Sequence, residues 1–281
     1  MSTPTRTDLL ADFSLEMTGK DVDALERAVP LLPPGTRVNV TFLGNEDLAM
    51  RTTAAQAVRA GGLSPVPHIS ARRLHDRGEL ETYLAALRNV DATSAVFCVG
   101  GDPATPEGPY SDSESIIRTG VLAEYGVRHV SIAGYPEGHP DISGDVLWGA
   151  LRGKVRALAE QGLEGSIITQ FAFDEKPVLG WIEQLRDAGI HLPVRIGVPG
   201  PAGVKRLLGF ARRFGIGANA MIVKKYGFSL TNLIGTAGPD RLIGSLAGGY
   251  DPARHGEVRL HFYTFGGIEA TAQWIDDFRS H

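Results

Sequence analysis

Short apolar, β-branched runs recur along the chain at residues 13–16, 38–41, 66–68, 95–102, 130–135, 167–170, 194–198 and 258–264. Almost every run ends in a polar residue and gives way to a stretch with helical periodicity. Eight successive strand–helix units are what a (β/α)8 barrel requires, and in that fold the chemistry sits at the C-terminal ends of the strands. The pattern therefore predicts an α/β fold, a TIM barrel formed as one domain over residues 1–281. An elaborated segment, 215–256, is expected between the seventh and eighth strands.

Punctuation along the chain supports these units. Pro30, Pro33 and Pro34 break the first helical stretch, and Gly61-Gly62 stops the second. A glycine- and proline-rich loop, 100–110, follows the fourth strand, and one helix is expected from 113 to 125. The inserted segment carries helical patterns of its own at 230–233 and 240–246. An open doubly wound sheet is the alternative. It is disfavoured because no G-x-G-x-x-G follows the first strand, and Gly100-Gly101-Asp102 comes too late to serve as that fingerprint.

Composition narrows the function more than the fold. The 281 residues are 43% hydrophobic with 35 glycines and a net charge of −4. A chain of that charge has no basic footprint for nucleic acid. No apolar run approaches a membrane span, and the polar start, 1–8, lacks the apolar core of a signal peptide. Cys98 is the lone cysteine, so no internal disulfide can form. The simplest expectation is a cytoplasmic enzyme. Exposed Trp or Tyr on the 215–256 segment would support a homo-oligomer, although a solvated face explains such residues equally well.

The strand ends supply the candidate chemistry. Paired early histidines for a metal are absent, and Lys20, Lys154, Lys176, Lys205, Lys224 and Lys225 all fall in helices or loops rather than at strand ends. Metal-dependent hydrolysis and Schiff-base chemistry both lose weight on those grounds. Converging on the mouth instead are Glu16, Thr41, His68, Asp102, Tyr135, His139, Gln170 and Tyr263, a set suited to proton transfer and to hydrogen-bonding a polar heterocycle. Glu16 lies between Leu15 and Met17, where an apolar wall raises a carboxyl pKa and lets it hold a proton near neutrality. A capping or salt-bridging glutamate is the plain alternative. Asp102 could equally be a turn aspartate and His68 a satisfied core histidine. Gln170, an uncharged amide at a strand end, calls for a specific partner.

Together these residues resemble the methylenetetrahydrofolate reductase family. The resemblance is carried by Ser14-Leu15-Glu16, Pro67-His68, Gly101-Asp102, the Tyr-Pro-Glu-Gly-His-Pro run at 135–140, Ile-Thr-Gln-Phe-x-Phe-Asp at 168–174 and His-Phe-Tyr-Thr at 261–264. It implies reduction of 5,10-methylenetetrahydrofolate to 5-methyltetrahydrofolate, with Glu16 as general acid and Asp102 and Gln170 as catalytic partners on the pterin. Tyr263 joins these three as a substrate contact. It further implies FAD as cofactor, fed by NADH or NADPH. Thr41, His68, Gly101, Asp102, Tyr110, Tyr135, His139 and Lys154 match positions that contact the flavin or its phosphates.

Departures from the pattern concentrate on the flavin. The family's arginine before Gly-Asp is Gly100 here. Near Lys154, where the family places an amide and an arginine, stand Ala150 and Gly153, and the turn after the second strand reads Phe42-Leu43-Gly44-Asn45-Glu46-Asp47. A flavin-bound reductase is expected slightly ahead of a flavin-free one that passes hydride directly from NADH. A non-catalytic folate-binding homologue is the third reading. Methionine supply and one-carbon catabolism both remain compatible with these residues.

Overall fold

A computed structural model describes residues 6–213 and 236–280. Strands β1 (Ser14–Met17), β2 (Arg37–Val40), β3 (Ser64–Ser70), β4 (Ala95–Val99), β5 (His129–Gly134), β6 (Glu164–Phe171), β7 (Val194–Pro199) and β10 (Val258–Tyr263) form a closed barrel in the order β1-β10-β7-β6-β5-β4-β3-β2. The paired strands are parallel, with registers such as Asn39↔Val66, His68↔Phe97 and Ser14↔His261. The TIM-barrel expectation is met. A further antiparallel pair, β8 (Ala202–Gly203) and β9 (Thr236–Ala237), has no counterpart in the sequence pattern.

The helices begin where aspartates can cap them. Asp47 accepts from Met50 N at 2.7 Å to open α3 (Leu48–Ala60), and Asp76 accepts from Glu79 N at 2.8 Å to open α4 (Arg77–Asn89). Asp112 does the same for α5 (Ser113–Ile117) and Asp174 for α8 (Glu175–Asp187). Each carboxylate satisfies an amide that the helix itself leaves unpaired. The single helix expected over 113–125 is two pieces, α5 and α6 (Val121–Glu124). Gly120, at φ 75°, turns the chain between them, a conformation that glycine adopts without steric penalty. Other elements are α1 (Arg6–Leu9), α2 (Val22–Ala28), α7 (Gly144–Glu160), α9 (Val204–Arg213), α10 (Asp240–Gly249), α11 (Pro252–His255) and α12 (Ile268–Arg279).

Two compact units share the chain, each assembled from separated segments. One comprises residues 16–133 and 148–167, the other 1–15, 134–147 and 168–281. In the first, outward strand positions such as Val38, Val40, Ile69 and Val96 are buried, as are Ala54, Ala55 and Val58 of α3 and Leu80, Leu84 and Leu87 of α4. Each fully buried Val or Leu contributes about 1.5–3 kcal/mol. In the second, Phe171, Phe173, Leu207 and Ala211 make a core against which Phe210, Tyr263 and Phe265 pack.

The helical pattern expected at 240–246 is α10. The pattern at 230–233, along with Lys224 and Lys225, lies outside the described residues. Tyr250, one of the aromatic residues on the 215–256 segment, is buried and donates to Gly256 O at 2.7 Å. Its ring is therefore committed to the fold rather than to a surface.

Candidate active site

Within the first unit, successive strands place polar side chains on one face. In a strand, residues two apart share a face, so Asn39 and Thr41 align along β2 and its C-terminal end, and His68 and Ser70 along β3. Glu16 Oε2 lies 3.9 Å from His68 Nε2, and Asn39 Nδ2 lies 3.4 Å from the same nitrogen. The Glu16 side chain is 21% exposed and that of His68 9%. This carboxylate–imidazole pair is thus largely, but not wholly, withdrawn from water. His68 also packs edge-on against Phe97, with centroids 4.8 Å apart. Thr41 N donates to Met17 O at 2.9 Å, while its buried Oγ1 has no hydrogen-bond partner among the described residues. A buried hydroxyl left unpaired is costly unless something else satisfies it.

Asp102 stands differently from the inward carboxylate expected. Its side chain is 69% exposed, and Oδ1 accepts from Arg73 Nε at 2.9 Å and Nη2 at 2.6 Å. The neighbouring Arg72 donates from Nε to Ser111 O at 2.7 Å, and Arg72 N donates to Gly100 O at 2.8 Å. The two arginines after β3 therefore clamp the loop 100–111. Gly101, at φ 95°, sits so close to Ser70 Oγ that a Cβ there would collide with it. Tyr110 closes the loop as a buried residue whose hydroxyl pKa is raised by desolvation.

In the second unit, Tyr135 and His139 organise their own loop. Their rings meet edge-on at 5.6 Å, Gly138 N donates to Tyr135 O at 3.1 Å, and His139 Nδ1 accepts from Asp141 N at 3.2 Å. Desolvation raises the Tyr135 pKa. The Gln170 amide oxygen accepts from Phe171 N at 3.1 Å, and its amide nitrogen makes no hydrogen bond among the described residues. Tyr263 donates from its hydroxyl to Thr169 O at 3.0 Å and packs against Phe171 and His261. His261 Nδ1 is 2.9 Å from Ser14 Oγ.

Asn39, Arg72 and Arg73 are not among the candidates named from the sequence. Asn39 could have been found, since it lies two residues before Thr41 on the same strand face. Nothing in the local sequence marks the Arg73–Asp102 pair, whose members are 29 residues apart.

Whether these residues suit a flavin depends on which end of it is considered. Thr41 and His68 offer polar atoms suited to a heterocyclic ring, but the corner around Lys154 does not fit the flavin contact that the resemblance implies there. Lys154 is buried, and its Nζ donates to Ala133 O at 3.1 Å. Burial pushes its pKa down to about 8, against the opposing pull of Asp112, Cys98 and Glu114. A side chain at Gly153 would meet the Glu114 carboxylate, which already fills that space. Among the described residues, no group of three or more His, Cys, Asp or Glu side chains could hold a metal ion, and no helix is long and apolar enough to cross a membrane.

The buried lysine has a measurable consequence. Below about pH 8 both folded and unfolded chains hold the proton, so the folded state bears the full cost of burying it. Between about 8 and the ordinary value of 10.5 the folded state has released that proton and the unfolded state has not, so stability rises with pH. Lys154→Met removes the dependence. Urea unfolding should show wild type gaining roughly 2 kcal/mol relative to the variant between neutral pH and about pH 10. Parallel pH profiles for the two proteins would count against this burial.

A closed parallel barrel of eight strands alternating with helices defines the class, a (β/α)8 barrel. Comparison with solved structures agrees on the fold. Dihydropteroate synthase (FolP) from Thermus thermophilus aligns with a TM-score of 0.51 at 15% identity, covering 96% of this chain and 93% of that one. Dihydropteroate synthase from the same organism, solved in complex with 6HMPPP, aligns with a TM-score of 0.51 at 13% identity, covering 96% and 92%. The family model for methylenetetrahydrofolate reductase matches residues 16–226, and the chain belongs to that family.

Proposed function

We propose that the chain reduces 5,10-methylenetetrahydrofolate to 5-methyltetrahydrofolate with hydride from NADH or NADPH. The observation that carries this reading is the Glu16–His68 pair, a part-buried carboxylate 3.9 Å from an imidazole in a chain of this family. Opening the imidazolidine ring breaks the methylene–N10 bond, and the nitrogen leaves with a proton from Glu16. The 5-iminium cation that results takes hydride at its methylene carbon and becomes the methyl group. The dihydronicotinamide leaves oxidised, and Glu16 recovers a proton from solvent.

The other residues hold and orient. Thr41 Oγ1 and Asn39 are assigned to hydrogen bonds with the heterocycle, since the threonine hydroxyl is buried without a protein partner among the described residues. The Gln170 amide nitrogen is a donor for pterin or carboxamide oxygen. Asp102, exposed and paired with Arg73, is assigned to holding the loop after β4. With its hydroxyl donated to Thr169 O, Tyr263 offers substrate a ring face. The test is oxidation of NADH dependent on methylenetetrahydrofolate, with the folate product identified by mass. Tight folate binding without any NADH oxidation would replace the enzyme by a binding protein.

A further inference from the structure

Around Lys154, which the resemblance places against the flavin or its phosphates, the start of α5 brings Asp112 and Glu114 toward the face of α7 that carries Gly153 and Lys154. Glu114 lies over Gly153, with its carboxylate in the space that any longer residue at 153 would need. That carboxylate accepts from Arg118 Nε at 2.8 Å, and Arg118 is held from its other side by Glu160. The arginine is thus already paired with two carboxylates. Asp112 occupies the N-terminus of α5, accepting from Ser115 N at 2.9 Å, so that amide is already satisfied.

Lys154 cannot compensate. It is 7% exposed, and its ammonium is directed to the Ala133 carbonyl. Beyond it lies Cys98, fully buried with its thiol pKa pushed up to about 12. On the exposed part of α7, Gly149 and Ala150 offer no hydrogen-bonding side chain. A pyrophosphate brought here would meet Asp112 and a Glu114–Arg118–Glu160 cluster with one more carboxylate than guanidinium, while the Lys154 ammonium is directed to Ala133 O. Like charges at close range disfavour binding.

From this corner we infer that the protein has no resident flavin, and that a reduced nicotinamide dinucleotide delivers hydride to the folate directly. The inference deepens the proposed reductase reading and rests on it for the identity of the hydride acceptor. No redox balance is lost. Two electrons and one hydrogen nucleus pass from C4 of the dihydronicotinamide to the methylene carbon, and the proton given to N10 comes from Glu16.

The experiment measures flavin separately from turnover. The full-length protein is purified without added cofactor, denatured, and its supernatant assayed for FAD. The native protein is then titrated with FAD while flavin fluorescence is followed, and NADH oxidation is measured with and without FAD. We expect no stoichiometric flavin, no quenching, and a rate unchanged by FAD. Flavin released in stoichiometric amount, saturable quenching, or turnover that requires FAD would overturn the inference. A flavin-free protein that fails to oxidise NADH would instead overturn the reductase reading and leave the closed phosphate corner standing.

Discussion

Glu16→Gln is expected to lower turnover of methylenetetrahydrofolate by roughly 10²- to 10⁴-fold, the usual contribution of a positioned general acid. Glutamine keeps the size of the side chain and can hydrogen-bond the same neighbours, but it has no proton to give N10. The loss should therefore fall on kcat, while KM and urea stability change little. Glu16 lies 3.9 Å from His68 and is 21% exposed, so a folding defect is not expected from an isosteric change there. Activity equal to wild type would remove Glu16 from the mechanism.

A large structural effect is expected at Gly197, in the middle of β7. A Cβ built there would lie 2.5 Å from Thr169 O, 2.8 Å from Phe171 N and 2.8 Å from Tyr263 Cε2. Two of those atoms belong to the backbone of β6, which cannot move aside without disturbing the ladder. Gly197 N donates to Thr169 Oγ1 at 2.8 Å, and its carbonyl accepts from Ala172 N at 3.1 Å. Gly197→Ala should destabilise by about 3 kcal/mol. That corresponds to a fall in Tm of roughly 5–10 °C for a chain of this size. A variant melting with wild type would show that β6 and β7 are not packed this closely.

Much of this architecture can be read in one dimension because barrel strands are short β-branched runs, each followed by a stretch of helical periodicity. The fourth and fifth apolar runs, 95–102 and 130–135, overlie β4 (95–99) and β5 (129–134). The split between α5 and α6 escapes a periodicity argument because its cause is one glycine conformation, the positive φ of Gly120. Pairing of β8 with β9 joins Gly203 to Thr236 and Ala202 to Ala237, a long-range contact that no local pattern encodes.

Site residues divide along the same line. Glu16, Thr41 and His68 are legible because each sits at a strand end on a predictable face. Asp102 is legible as a residue but not as the partner of Arg73. The Glu114 carboxylate over Gly153 is a meeting of two helices, and the sequence shows only that an arginine is missing there. That contact changes the expectation most, because the flavin slightly favoured from motifs faces an occupied, acidic corner.

Hydride is expected to pass from a dihydronicotinamide to the methylene carbon of the folate with no carrier between them. An isotope decides it: NADH deuterated at the transferred C4 position is supplied with methylenetetrahydrofolate, and mass spectrometry locates the label in the product. Direct transfer gives 5-methyltetrahydrofolate with the deuterium retained in its methyl group. A methyl product whose label has been lost to solvent, as expected from an exchangeable N–H on a reduced flavin, would contradict direct transfer. Absence of any methyl product under these conditions would contradict the reductase reading itself.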